Sequence, residues 1–177
     1  MRRELILHIG VWLIFFVAIT LFRQYFSFSY WPFWLGGILG TFLPDIDHLI
    51  YVYFLQPQEL TSQRVNFLID KNEIKRVISL LYETRNERRG LIFHTLFFQV
   101  LFLVLTFWIV TSSNSLFGLG VVLAFSLHLL VDQIVDLMKL NSFDNWLKYS
   151  PIYLDLDKAK IYWVVIALLI VLFGIFI

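Results

Sequence analysis

The chain contains no cysteine, so neither a disulfide framework nor a thiolate metal site is open to it. It is also short of charge. Charged residues make up 15% of its 177 positions and apolar residues 59%, against about 25% and about 45–50% in an ordinary soluble domain. The formal net charge of +1 gives no bulk electrostatic case for nucleic acid, and none is expected as a partner. There is no internal repeat, no low-complexity stretch and no glycosylation sequon.

Apolar sequence in long runs is what the chain has in abundance. A membrane span needs about 20 mostly apolar residues, and the runs 5–22, 31–55, 91–111, 116–138 and 161–177 approach that length. Arg2 and Arg3 ahead of the first run resemble the start of a signal peptide. The run is longer than an h-region, however, and no small-x-small cleavage site follows, so a retained helix is expected. The expected fold is therefore all-α: a polytopic membrane helical bundle of about five transmembrane helices, forming one integral membrane domain over residues 1–177.

Orientation follows from the basic residues. If alternate connections share a side, 13 of the 14 Lys and Arg residues fall together and Arg23 stands alone on the other side. Basic residues favour cytoplasmic loops. That places the N-terminus inside, in the plasma membrane of the cell. The connection 56–90 would then be cytoplasmic. Within it Ile74, Val77, Ile78 and Leu81 recur at helical spacing among Lys71, Glu73, Lys75 and Arg76. The spacing predicts an amphipathic helix, lying on the inner membrane surface or packed on the protein.

Ionisable side chains inside a bilayer are costly, by about 2.5–3.5 kcal/mol on insertion scales, and normally have partners. Here they are His8, Asp45, Asp47, His48, His94, His128, Asp132 and Asp136. Each of the four histidines belongs to a different run, and the alternating topology brings all of them to the cytoplasmic side. His128 and Asp132 stand at i and i+4 and so share a helix face, which Asp136 continues. Asp45 and His48 are cofacial if the chain after Pro44 is helical. The run Gly36-Gly37-Ile38-Leu39-Gly40 allows close helix packing, and the whole segment can be a broken helix. Imidazole and carboxylate together suit Zn, Mn, Fe or Ni.

The stretch Leu43-Pro44-Asp45-Ile46-Asp47-His48 resembles the L-P-D-x-D-H signature of the YdjM-like family of membrane-bound metal-dependent hydrolases. His8 is similar to that family's early histidine. Arg89-Gly90-Leu91-Ile92-Phe93-His94-Thr95 resembles its H-R-G-x-x-H-S element, with Arg88 where the first histidine of that element falls. His128-Leu129-Leu130-Val131-Asp132 resembles its H-x-x-x-D. The resemblance implies a membrane hydrolase that uses a divalent ion, most simply Zn. His8, Asp45, His48, His94, His128 and Asp132 are the expected ligands, Asp47 or Asp136 the general base, and Arg89 the group that holds an anionic headgroup. The expected substrate is a phosphoester or a membrane lipid arriving from the cytoplasmic side. Two other classes stay open: transport of metal or protons through the same ligands, and a non-catalytic protein whose His/Asp cluster is structural.

Overall fold

A computed structural model gives the fold and describes residues 2–88, 90–148, 150, 151 and 153–175. The described residues are all-helical. The first helix, α1 (Arg2–Phe22), is followed by α2 (Trp31–Phe42), a 3-10 turn at Leu43–Asp45, α3 (Ile46–Ile50) and a π-helical turn at Tyr51–Leu55. This is the expected broken helix. Pro44 has no N–H to donate, so regular α-helical bonding cannot pass through it and the winding tightens there.

The connection that follows is a helical hairpin, α4 (Leu60–Asp70) and α5 (Ile74–Glu83). The amphipathic α5 was legible in the spacing, but α4 was not foreseen. Val77 is buried with Val52 and Val65, while Ile74 and Ile78 on the same helix stay exposed. The helix thus packs on the protein by one edge and offers apolar side chains outward by another.

The remaining helices are α6 (Leu96–Ser112), α7 (Leu116–Leu140), the short α8 (Asp144–Leu147) and α9 (Leu156–Ile175). The starts of α6, α7 and α9 are set by side-chain caps. The Thr95 hydroxyl accepts from Phe98 N, the Ser115 hydroxyl from Gly118 N, and the Asp155 carboxylate from Lys158 N at 2.9 Å. The hydrogen bonds from the Lys158 backbone and side chain hold the Asp155 carboxyl below its ordinary pKa. The last helix accordingly begins at Leu156, ahead of the run 161–177 read from hydropathy alone.

Four of the helical stretches, Glu4–Phe22, Phe28–Leu55, Leu116–Lys139 and Leu156–Ile175, are long and apolar enough to cross a membrane, and Leu96–Ser112 is a shorter apolar helix. Counting it gives about five spans. At 1.5 Å per residue α6 reaches about 26 Å, a little short of a hydrocarbon core of about 30 Å. At the end of α1, Arg23 donates to the Phe173 and Gly174 carbonyls near the end of α9. Helices α1 and α9 therefore run in the same direction, as an alternating five-span path requires.

The most buried of the long spans is α7, around which the others pack. Its closest neighbour is α2. A Cβ on Gly36 would run into the Phe117 carbonyl, and one on Gly120 into the Phe33 carbonyl. Small residues let the two backbones touch, the ordinary device where lipid offers no hydrophobic drive between helices. Phe16, Phe33, Leu123 and Ile170 fill the core beside them. Near the start of α6, Gln99 and Gln133 exchange amide hydrogen bonds, and the Tyr162 hydroxyl donates to Gln99 Oε1 at 2.7 Å. This joins α6, α7 and α9 with their polar atoms satisfied.

Candidate functional site

Asp132, buried one-third of the way back from the end of α7, is the centre of the polar cluster. Four groups converge on its two oxygens. His8 Nε2 lies 3.0 Å from Oδ1, and Arg85 Nη1 lies 2.9 Å from the same oxygen. His94 Nε2 and His128 Nε2 lie 3.0 and 3.2 Å from Oδ2. The i, i+4 spacing of His128 and Asp132 is what brings the last pair together.

His8 is oriented by its own helix. Its Nδ1–H donates to the Glu4 carbonyl at 2.9 Å, which leaves the lone pair of Nε2 facing a carboxylate. A lone pair and a carboxylate repel unless a proton or a cation lies between them. His128 presents the same problem more sharply. Among the described residues neither of its ring nitrogens makes a hydrogen bond, although the side chain is buried. Its Nε2 approaches Asp132 and, at 3.7 Å, Asp45 Oδ1 without the alignment of such a bond. His8, His128 and Asp132 each offer an atom, and these lie within 4.8 Å of one another. Two imidazole nitrogens and a carboxylate oxygen fit a divalent transition ion.

His94 is held differently. It lies in a bent, non-helical stretch ahead of α6, not inside a helix as the apolar run 91–111 implied. The reason is Asp47. That carboxylate, fully buried, accepts from Ile92 N at 3.0 Å, from Phe93 N at 2.6 Å and from His94 N at 3.3 Å. It thereby replaces the bonds that a helix would have made. It also lies 3.1 Å from His94 Nδ1, which turns Nε2 toward Asp132.

The other expected residues surround this group. Asp45, with its side chain 54% exposed, meets only the rim through His128. His48 stacks on His94 with ring centroids 5.3 Å apart, and its Nδ1 accepts from Arg88 Nε at 3.3 Å. That lone pair is therefore already used. Asp136 accepts from Trp146 Nε1 at 2.9 Å and stands 3.6 Å from Arg85 Nη2. Arg89 lies outside the described residues.

Three participants were missing from the sequence reading. Glu4 sits one turn before His8, 3.8 Å from Arg85, and pairs with Lys139. Its i, i+4 relation to His8 was the available signal. Trp146 belongs to the short α8, in a stretch that reads as irregular. Arg85 belongs to the 3-10 turn after α5 and was counted only among the basic residues of the connection. Burial works against its charge, but Asp132 and Asp136 outweigh it and raise its pKa. Arg88, three residues on, is pulled down to about 10 by burial and by Arg85. It also donates to the Thr84 hydroxyl at 2.8 Å and to the Leu81 carbonyl, closing the turn that presents Arg85.

No curated protein and no solved structure matches the chain. The family model of the YdjM inner membrane protein matches residues 5–176, from α1 through the last helix, and the protein belongs to that family.

Proposed function

We propose that the protein is a membrane-embedded metal-dependent hydrolase acting on a phosphoester or lipid, with the His/Asp cluster on the cytoplasmic side. The observation that carries this reading is His128: a buried imidazole with, among the described residues, no hydrogen bond at either nitrogen, directed at two carboxylates. Such a group costs about 1–3 kcal/mol unless something else satisfies it. A divalent ion, most simply Zn, would be held by His8, His128 and Asp132, with His94 and Asp45 beside them. When bound, it would supply a water of lowered pKa and a counter-charge for a phosphoryl oxygen. Asp47 would serve as a positioning residue, since its carboxylate is committed to three backbone N–H groups and His94. Asp136, beside Arg85, is the remaining candidate to take a proton. The basic residues of the connections support the cytoplasmic placement.

The test is metal analysis of the purified protein in detergent, followed by a panel of phosphoesters and lipids. The expected result is near-stoichiometric metal in the wild type and background levels in H128A and D132A. Sub-stoichiometric metal, unchanged in both variants, would remove the hydrolase reading. It would favour a structural cluster, for which one feature already speaks: Arg85 gives Asp132 and Asp136 a permanent counter-charge.

A further inference from the structure

The polar cluster is the floor of a cavity of about 330 Å³. Its walls are apolar, built from Leu5 and Ile9 of α1, Phe42 of α2 and Ile78 and Leu81 of α5. Leu5, Ile9, Phe42 and Ile78 are also exposed at the surface. Three of these four belong to helices long and apolar enough to cross the membrane, and a mouth between two such helices would open toward hydrocarbon. Ile78 continues the same wall from α5. Arg85 is the one Lys or Arg among the described residues that lines the cavity. Its five N–H donors exceed what its contacts to Glu4, Asp132 and Asp136 require. An apolar wall open to lipid, leading to a guanidinium and a His/Asp group, matches a molecule with an acyl chain at one end and a phosphate at the other.

We propose that a membrane lipid enters this cavity sideways between α1 and α2. Its acyl chain lies along Leu5, Ile9, Phe42 and Ile78, and its phosphate headgroup meets Arg85 beside His8, His128 and Asp132. The headgroup half rests on the metal-dependent reading given above. Glu4 and Asp132 line the same cavity, with Asp45 at its rim, and a divalent cation held there would turn the balance toward an anion. The acyl-chain route stands without it.

The experiment uses the full chain in lipid nanodiscs doped with phosphatidic acid carrying a diazirine near the end of one acyl chain. A phosphatidylcholine probe of the same design serves for comparison. After irradiation, labelled residues are mapped by mass spectrometry, once in chelator and once with Zn. In both conditions Leu5, Ile9, Phe42 and Ile78 should carry several-fold more label than Val104, Leu105 and Trp108, which are exposed on α6. Ile9→Trp, which plugs the mouth without touching the polar floor, should remove the excess. Zn should favour the phosphatidic acid probe over phosphatidylcholine, and Arg85→Gln should abolish that preference. Label at the mouth without any response to Zn, in a protein that binds no metal, supports the lipid route while sinking the metal-dependent reading. Even labelling around the bundle, or an excess indifferent to Ile9→Trp, overturns the lipid route. So does loss of the excess on adding glycerol phosphate, which would identify a water-soluble phosphoester as the occupant.

Discussion

Asp47 and His94 are 47 residues apart in the chain, yet Asp47 Oδ2 lies 3.1 Å from His94 Nδ1 and also accepts the His94 backbone N–H. One carboxylate thus fixes both the path of the chain into α6 and the direction of the imidazole. Asp47→Ala would leave three backbone donors and a histidine without their acceptor. Removing one partner of a buried charged network costs about 3–5 kcal/mol. The variant should unfold at markedly lower temperature in detergent, with Asp47→Asn in between because its amide oxygen still accepts. An unchanged midpoint for Asp47→Ala would show that the carboxylate does not hold this stretch.

His128 allows the metal reading to be examined without any substrate. Replacing an unsatisfied buried imidazole by a ring of similar shape should relieve a penalty of about 1–3 kcal/mol. His128→Phe should therefore raise the unfolding midpoint in chelator. The wild type should in turn gain about 2.7 kcal/mol at a metal concentration 100 times the dissociation constant, and the variant should gain nothing. Equal metal-induced shifts in the two proteins would take His128 out of the ligand set.

The contact between α2 and α7 has no room for a side chain. Gly120→Val would force the Phe33 carbonyl away and separate the two backbones. Overpacking of this kind costs about 1–3 kcal/mol, and more where backbone must move. Gly10, which has open space around its Cβ position, is the control: Gly10→Ala should leave stability unchanged or slightly improved. Thermal unfolding of the two variants side by side measures the difference.

Orientation can be read directly because the chain has no cysteine of its own. Single cysteines at Lys75 on α5 and at Ser113 after α6 are both exposed. With the N-terminus inside, a membrane-impermeant maleimide should label Ser113→Cys in intact cells and Lys75→Cys only after permeabilisation. The reverse pattern would invert the topology and place the cluster on the outer side.

Much of this arrangement could be read from spacing, and the exceptions share a cause. His128 and Asp132 were paired by helical period, and the glycines before Pro44 announced close helix packing, though not that α7 is the partner. Asp45 was expected among the ligands and Asp47 as a general base. The 3-10 turn at Leu43–Asp45 leaves the first at the rim and the second fully buried, a rotation no hydropathy pattern records. His94 fell inside an apolar run that read as helix, because the carboxylate that unwinds its entry comes from another span. Arg85 and Trp146 reach the site from connections between spans. Periodicity describes what one helix does along its own axis. It is silent on which loop residue folds back over the bundle.

The reciprocal amide bonds between Gln99 and Gln133 bear on how His94 keeps its place. A slip of α6 by one residue would move it about 1.5 Å and turn it about 100°. Both bonds would then break together, inside a medium that offers no replacement partners. The pair works as a detent, admitting one angular phase of α6 against α7 and no neighbouring one. His94, at the mouth of α6, inherits that phase without taking part in it. A change at Gln99, in the first turn of α6, should thus be felt at the polar end of the bundle as a misaimed imidazole, without touching any ligand itself.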